Sequence, residues 1–208
     1  MKIHSLTLFA ASLALTGCFN FKINGENILG GGKKIYPEGP EVAKVYETGS
    51  FDAIRLVGSY DIDFIQGGSS AVEITAAENI HDVLEVKVTD GVLVLGTVDK
   101  VSVDGKVSVS ISNPKLEGIE LIGAGDISVG GPLTAKDFSL KVSGAGDFDA
   151  EGISCGTITV KVSGAGNISV KALKCGDAVF KVSGAGDISL DDVECGDLDI
   201  AISGAGSV

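Results

Sequence analysis

The sequence predicts an all-β fold, a single-domain parallel β-solenoid (β-helix), wound right-handed, with about 20 residues per coil. Two observations carry most of that expectation. Gly-Ala-Gly occurs five times, starting at Gly123, Gly144, Gly164, Gly184 and Gly204, so the spacings are 21, 20, 20 and 20. Around the triplet, apolar and polar residues alternate: Ile158, Val160 and Val162 are separated by Thr159 and Lys161, and Ile168 and Val170 by Ser169. Period two means strands with one buried face. An antiparallel meander gains nothing from identity at twenty, whereas a parallel coil lays like on like. Right-handed winding extends the crossover rule for parallel strands.

Taken from the N-terminus, Met1 to His4 carry one lysine and Leu6 to Leu15 form a short apolar run. That order is the one of a secretory signal, and the run is too short to span a bilayer as a permanent helix. It ends at Leu15-Thr16-Gly17-Cys18 and resembles a bacterial lipoprotein signal peptide over residues 1–17. The resemblance implies lipid attachment at Cys18, and several acyl chains make an effectively permanent anchor. Phe19 stands where an aspartate, by resemblance to enterobacterial lipoproteins, would hold the protein at the inner membrane. The expected address is therefore exported, lipid-anchored in the bacterial envelope at the outer membrane, with the leaflet open. Residues 18–43 contain Gly30-Gly31-Gly32, Pro37, Gly39 and Pro40 without a sustained period, and read as a flexible tether.

Residues 44–208 are expected to form the folded domain. Leu56 to Asp63 has the pattern of Val142 to Asp149, which places an early coil near Tyr46. Alternating runs recur at Ala71 to Thr75, Leu84 to Val88, Val92 to Leu95 and Val107 to Ile111, but no twenty-residue register links them. Asp90-Gly91 is a candidate for closing an antiparallel hairpin instead. From Gly123 the repeat is explicit. The extra residue of its first copy falls at Gly130-Gly131-Pro132, after which Leu133 is in register with Ile153, Leu173 and Val193.

Composition excludes several functions. The chain has 28 acidic and 16 basic residues, a formal charge of −12, and Arg55 is its only arginine. That is no footprint for nucleic acid. Cys155, Cys175 and Cys195 are twenty apart and Ala135 takes the same place one copy earlier, so they read as small apolar fillers, not a metal or disulfide site. Asp126, Asp147 and Asp187 follow the triplets as corner residues, with Asn167 and Ser207 interrupting any calcium-binding column. Lys141, Lys161 and Lys181 form an outward row that offsets nearby carboxylates. His81 with Asp82 is the only His-acid pair beyond the leader, and reads as a surface loop. No catalytic residue, cofactor or metal ligand is assigned.

Ser50-Phe51-Asp52-Ala53-Ile54, Leu93-Val94-Leu95 after Asp90-Gly91, the Val109-to-Leu116 segment and the Gly-Ala-Gly-Asp repeats together resemble the head GIN domain family. Those proteins are lipid-anchored or secreted bacterial proteins assigned to autotransporter adhesins, and the resemblance covers about residues 44–208. It implies a non-catalytic cell-envelope adhesin or surface-interaction and assembly module, with a protein or glycan surface, or another copy of itself, as partner. The alternatives are a glycan-binding module and a polysaccharide-acting β-helix enzyme, the latter lacking clustered carboxylates and aromatic platforms in the repeats. The chain stops in mid-coil at Ser207-Val208, so either the protein is a fragment or that end is covered.

Overall fold

The computed structural model describes residues 33–98 and 101–208, together with two short N-terminal strands. The expected leader at 1–17 and Cys18 lie outside the described residues. The chain divides into two units, Met1–Gly31 and Gly32–Val208. In the first unit, β1 (Lys22–Ile23) pairs antiparallel with β2 (Glu26–Asn27).

Alternating sequence becomes strand throughout the second unit. Its first part holds β3 (Lys33–Ile35), β4 (Glu41–Tyr46), β5 (Ala53–Gly58), β6 (Asp61–Gln66) and β7 (Ala71–Ala77). The one-turn helix α1 (Glu78–His81) then precedes β8 (Leu84–Thr89), β9 (Val92–Thr97), β10 (Val101–Val103) and β11 (Ser108–Asn113). The repeats supply β12 (Gly118–Gly123), β13 (Ile127–Thr134), β14 (Asp137–Val142), β15 (Phe148–Val162), β16 (Ile168–Val182), β17 (Ile188–Glu194) and β18 (Asp197–Ile202). β3 and β10 form a separate parallel ribbon, and the others make one 14-stranded sheet.

The expectation of a parallel β-solenoid with about 20 residues per coil is corrected by this sheet. β7 runs antiparallel to both β4 and β11, and β8 runs antiparallel to β9. The sheet is mixed, and it curls into a nearly closed barrel. Its two arms meet across a small cavity of about 10 Å³ lined by Ile74 and Val109 from one arm and Leu84, Val86 and Leu95 from the other. The physical reason lies in residues 71–113, which have no copy at twenty. There Asp90 and Gly91 both take positive φ, 51° and 77°, the backbone of a two-residue hairpin that reverses the chain. A hairpin places its strands antiparallel with no crossover, so the right-handed winding expected of uniform coils does not apply to it.

Within the repeats, Ile158 pairs with Ala178, Val160 with Phe180 and Val162 with Val182, each twenty apart. β13 against β15 begins at an offset of 21, Ile127 with Phe148, and shifts to 20 between Val129 and Pro132. The bulge falls at Gly130-Gly131, where Gly131 has φ 79°. β5 and β6 join the same columns from farther away in sequence: Leu56 pairs with Leu121 and Ile62 with Ile127.

The long strands β15 and β16 belong to both arms. The N-terminal half of β15 pairs with β13 and its C-terminal half with β14. Inward residues of these strands and of both arms fill the space between, with Phe64 of β6, Phe138 of β14, Phe148 of β15 and Phe180 of β16 the largest side chains and each at most 2% exposed. Burial of each contributes roughly 1.5–3 kcal/mol. Layer stacking supplies that burial: Phe180 is 1% exposed, whereas Ile200, its neighbour in the last described layer, is 43% exposed.

The glycine corners are set by close backbone approach. A Cβ built on Gly164 would lie 1.7 Å from the carbonyl oxygen of Gly144, and the same clash recurs at Gly184 and Gly204. Only hydrogen fits there.

Candidate interaction face

The outer surface inherits the period of the core. On β14, β15 and β16, the residues between the buried ones point outward, so Lys141, Lys161 and Lys181 align in register. Ser143, Ser163, Ser183 and Ser203 stand two residues further along and are exposed. Ser163, Ser183 and Ser203 each donate from Oγ to the carbonyl of the preceding layer, Val142, Val162 and Val182 respectively, at 3.3–3.5 Å. A surface depression of about 720 Å³ is lined by these two rows together with Ile200, Ala201 and Ile202 of the last strand.

The aspartates beside the glycine corners form a hydrogen-bonded ladder. Asp126 Oδ1 accepts from the N–H of Asp147 at 3.0 Å, Asp147 from Asn167 at 2.7 Å, Asn167 from Asp187 at 3.3 Å and Asp187 from Ser207 at 2.8 Å. Asn167 thus continues the same capping through its amide oxygen, whereas Ser207 ends the ladder as a donor, giving both its N–H and its Oγ–H to Asp187 Oδ1 at 2.8 Å. Among the described residues no group of three or more His, Cys, Asp or Glu is placed to hold a metal ion.

Cys155, Cys175 and Cys195 are free thiols and partly buried. Cys155 and Cys175 are direct ladder partners. Burial pushes the Cys155 thiol up to about 11, with Cys175 and Asp137 adding to the shift. Burial also raises Cys175, followed by its neighbours Cys195 and Asp177. At Cys155 and Cys175 burial therefore favours the neutral thiol over the thiolate, which suits packing and not nucleophilic attack.

His81 is not on a surface loop. It is 7% exposed on α1, where Nδ1 accepts from the Tyr46 hydroxyl at 2.8 Å and Nε2 donates to the carbonyl of Val42 at 3.0 Å. Both ring nitrogens are committed to fastening α1 to β4. The single turn of helix, which strand periodicity does not announce, is what turns His81 inward.

Three polar residues escaped the reading of the sequence. Asn113, 1% exposed, donates from Nδ2 to the carbonyls of Phe51 and Lys115 and accepts from Ser70 Oγ at 2.6 Å. Gln66 exchanges hydrogen bonds with the backbone of Thr134, 2.8 and 2.9 Å, and so imitates a strand residue. Glu120 pairs with Arg55 at 2.7 Å. All three partnerships join segments far apart in sequence, and only the Asn before Pro114 offered a local hint.

The molecule is a mixed β-sheet structure with a regular outer face and small side chains along its repeats. Residues 50–208 match the model of the family described as "Putative auto-transporter adhesin, head GIN domain". The chain belongs to that family, whose adhesin character is that of surface or exported proteins. Its fold is similar to that of a "putative adhesin" from Bacteroides fragilis, with TM-score 0.66 and 20% identity, covering 83% of this chain and 98% of the other. A "putative adhesin" from Parabacteroides distasonis gives TM-score 0.67 and 21% identity, covering 84% and 83%. A third similar structure, from the same organism, is a "Putative lipid binding protein", with TM-score 0.59 and 15% identity, covering 85% of this chain and 100% of that one. Curated protein sequences yield no match.

Proposed function

We propose that the chain is a non-catalytic envelope lipoprotein, anchored through Cys18, that presents the outer face of its repeats for adhesion or assembly. The observation that carries this reading is the register of the repeats, which places identical exposed side chains on successive strands: Lys141, Lys161 and Lys181 beside Ser143, Ser163 and Ser183. A surface of that kind suits repeated weak contacts with an extended partner. The 10 Å³ cavity between the arms has room for no more than a water, so binding is assigned to the surface.

The anchor rests on Leu15-Thr16-Gly17-Cys18. Among the described residues, no helix is long and apolar enough to cross a membrane. Labelled fatty acid should enter the wild-type chain and be lost from Cys18→Ala. Label retained by that variant would overturn the anchor. For the surface role, cells displaying the chain should adhere to envelope or host material more than cells lacking it. Release of reducing ends from any polysaccharide by the purified chain would favour an enzyme instead.

A further inference from the structure

The lysine row is set apart by its alignment, one lysine directly beside the next on β14, β15 and β16. Like Lys33, Lys44, Lys106, Lys136 and Lys171, these three take part in none of the ion pairs among the described residues, in contrast to Lys34, Lys87, Lys115 and Lys174, each of which pairs with a carboxylate at 2.6–2.8 Å. Yet acidic residues outnumber basic ones, 28 to 16. Glu120, which occupies the lysine column one layer below Lys141, is turned to Arg55 at 2.7 Å. Asp137 and Asp177 lie four residues upstream on the same strands, about 13 Å away at strand rise. Asp199 is the nearest on the adjoining strand, opposite Val179 and two residues before the partner of Lys181. Three like charges are therefore held side by side on neighbouring strands, about 4.8 Å apart per layer, where they repel one another until an anion arrives.

We propose that Lys141, Lys161 and Lys181, with the serine row beside them, form a subsite for a carboxylate-bearing polysaccharide lying along the stack of layers. This deepens the surface-interaction reading and rests on it. Two layers span about 10 Å, the scale of one disaccharide in an extended glycan, so a polymer of uronate residues brings carboxylates into step with the ammonium row. The serine oxygens, whose O–H groups at Ser163, Ser183 and Ser203 already donate to the backbone, can accept from sugar hydroxyls along the same line. The 720 Å³ depression includes lysines and serines from three successive layers, so a chain-like ligand can meet them in turn. A nucleic acid is disfavoured by the molecule's charge of −12 and by the absence of arginine and aromatic side chains from these rows.

The test uses the full chain carrying Cys18→Ser, with immobilised polygalacturonate as probe and neutral dextran, anionic phospholipid vesicles and duplex DNA as comparators. Binding to polygalacturonate is expected, weakening as salt rises. The triple variant Lys141→Gln/Lys161→Gln/Lys181→Gln should lose about tenfold or more in affinity. The triple Lys87→Gln/Lys115→Gln/Lys136→Gln, equal in charge, should stay within about twofold. Equal loss in both triples, or stronger binding to vesicles or DNA, overturns the subsite. Retention on dextran or a protein surface that is independent of the three lysines overturns it too, but leaves the surface-interaction reading standing. Retention on none of the probes overturns the subsite, and the adhesion assay on displaying cells then decides that reading separately. Circular dichroism and the unfolding midpoint of each triple, expected unchanged, separate loss of binding from loss of fold.

Discussion

Asp147 accepts through Oδ1 a 2.7 Å hydrogen bond from the backbone N–H of Asn167, the residue that occupies its own place one layer later. The same oxygen also accepts from Asn167 Nδ2 at 3.1 Å. A side chain here satisfies a corner amide that no strand ladder reaches, and Asn167 then repeats the service for Asp187. Asp147→Ala should cost about 1 kcal/mol in urea unfolding, since a charge-assisted acceptor is lost at an exposed corner. Asp147→Asn, which keeps an acceptor, should cost less than half of that. Equal losses would show that charge, not capping, sets the effect.

The glycine corners should be far less tolerant. In Gly164→Ala the new methyl meets the Gly144 carbonyl oxygen at 1.7 Å, and its nearest atoms are all Gly144 backbone, which cannot rotate aside, so layers must separate. A loss of about 3 kcal/mol or more is expected, at the upper end of overpacking costs. Gly49→Ala, where a Cβ meets nothing within 4 Å, should fall within about 0.5 kcal/mol of wild type. Thermal unfolding of the pair measures the contrast.

Asn113 fastens three separate segments through one amide. Asn113→Asp keeps shape but removes the two Nδ2 donors, leaving the Phe51 and Lys115 carbonyls facing a carboxylate. Asn113→Ala leaves the same carbonyls and the Ser70 hydroxyl without this partner. About 3 kcal/mol is expected for the alanine variant and at least as much for the aspartate. An aspartate variant as stable as wild type in denaturant titration would refute that account.

Alkaline stability should fall in a defined window. Burial pushes Tyr60 up to about 12, a shift that a hydrogen bond with Thr97 partly offsets, and Cys155 up to about 11. In each case folding favours the neutral, protonated form. Its contribution is complete below the unfolded values of about 10 and 9 and is lost as pH rises through the folded ones. The free energy of unfolding should therefore hold from these two groups up to about pH 9 and decline toward pH 12. Tyr60→Phe should flatten the upper part of that decline. Thiol alkylation at pH 8 should be slower at Cys155 than in the unfolded chain, because less thiolate is present.

Much of the repeat region was readable because its interactions are local in a periodic sense. Matching residues twenty apart predict ladder partners, and Val160 with Phe180 or Lys141 with Lys161 needs no more information than that. The aligned pattern of Leu56 to Asp63 with Val142 to Asp149 likewise points to shared columns, reached in space through Leu121 and Ile127. The lysine row was visible as a row. That it stands clear of the ion pairs was not, because the choice of Glu120 for Arg55 is made in three dimensions.

By itself the sequence determined strand character, the twenty-residue register and the place of the extra residue at Gly130-Gly131-Pro132, and it offered Asp90-Gly91 as a hairpin candidate, since each follows from alternation, repetition or local backbone preference. Tertiary structure alone decided that β7 turns antiparallel between β4 and β11, that the arms close over Phe64 and Phe180, and that His81 turns inward to Tyr46. Those outcomes depend on which apolar face finds which cover. That choice is made by contacts between segments with no repeating relationship to each other, and such contacts leave no period in a single chain to read.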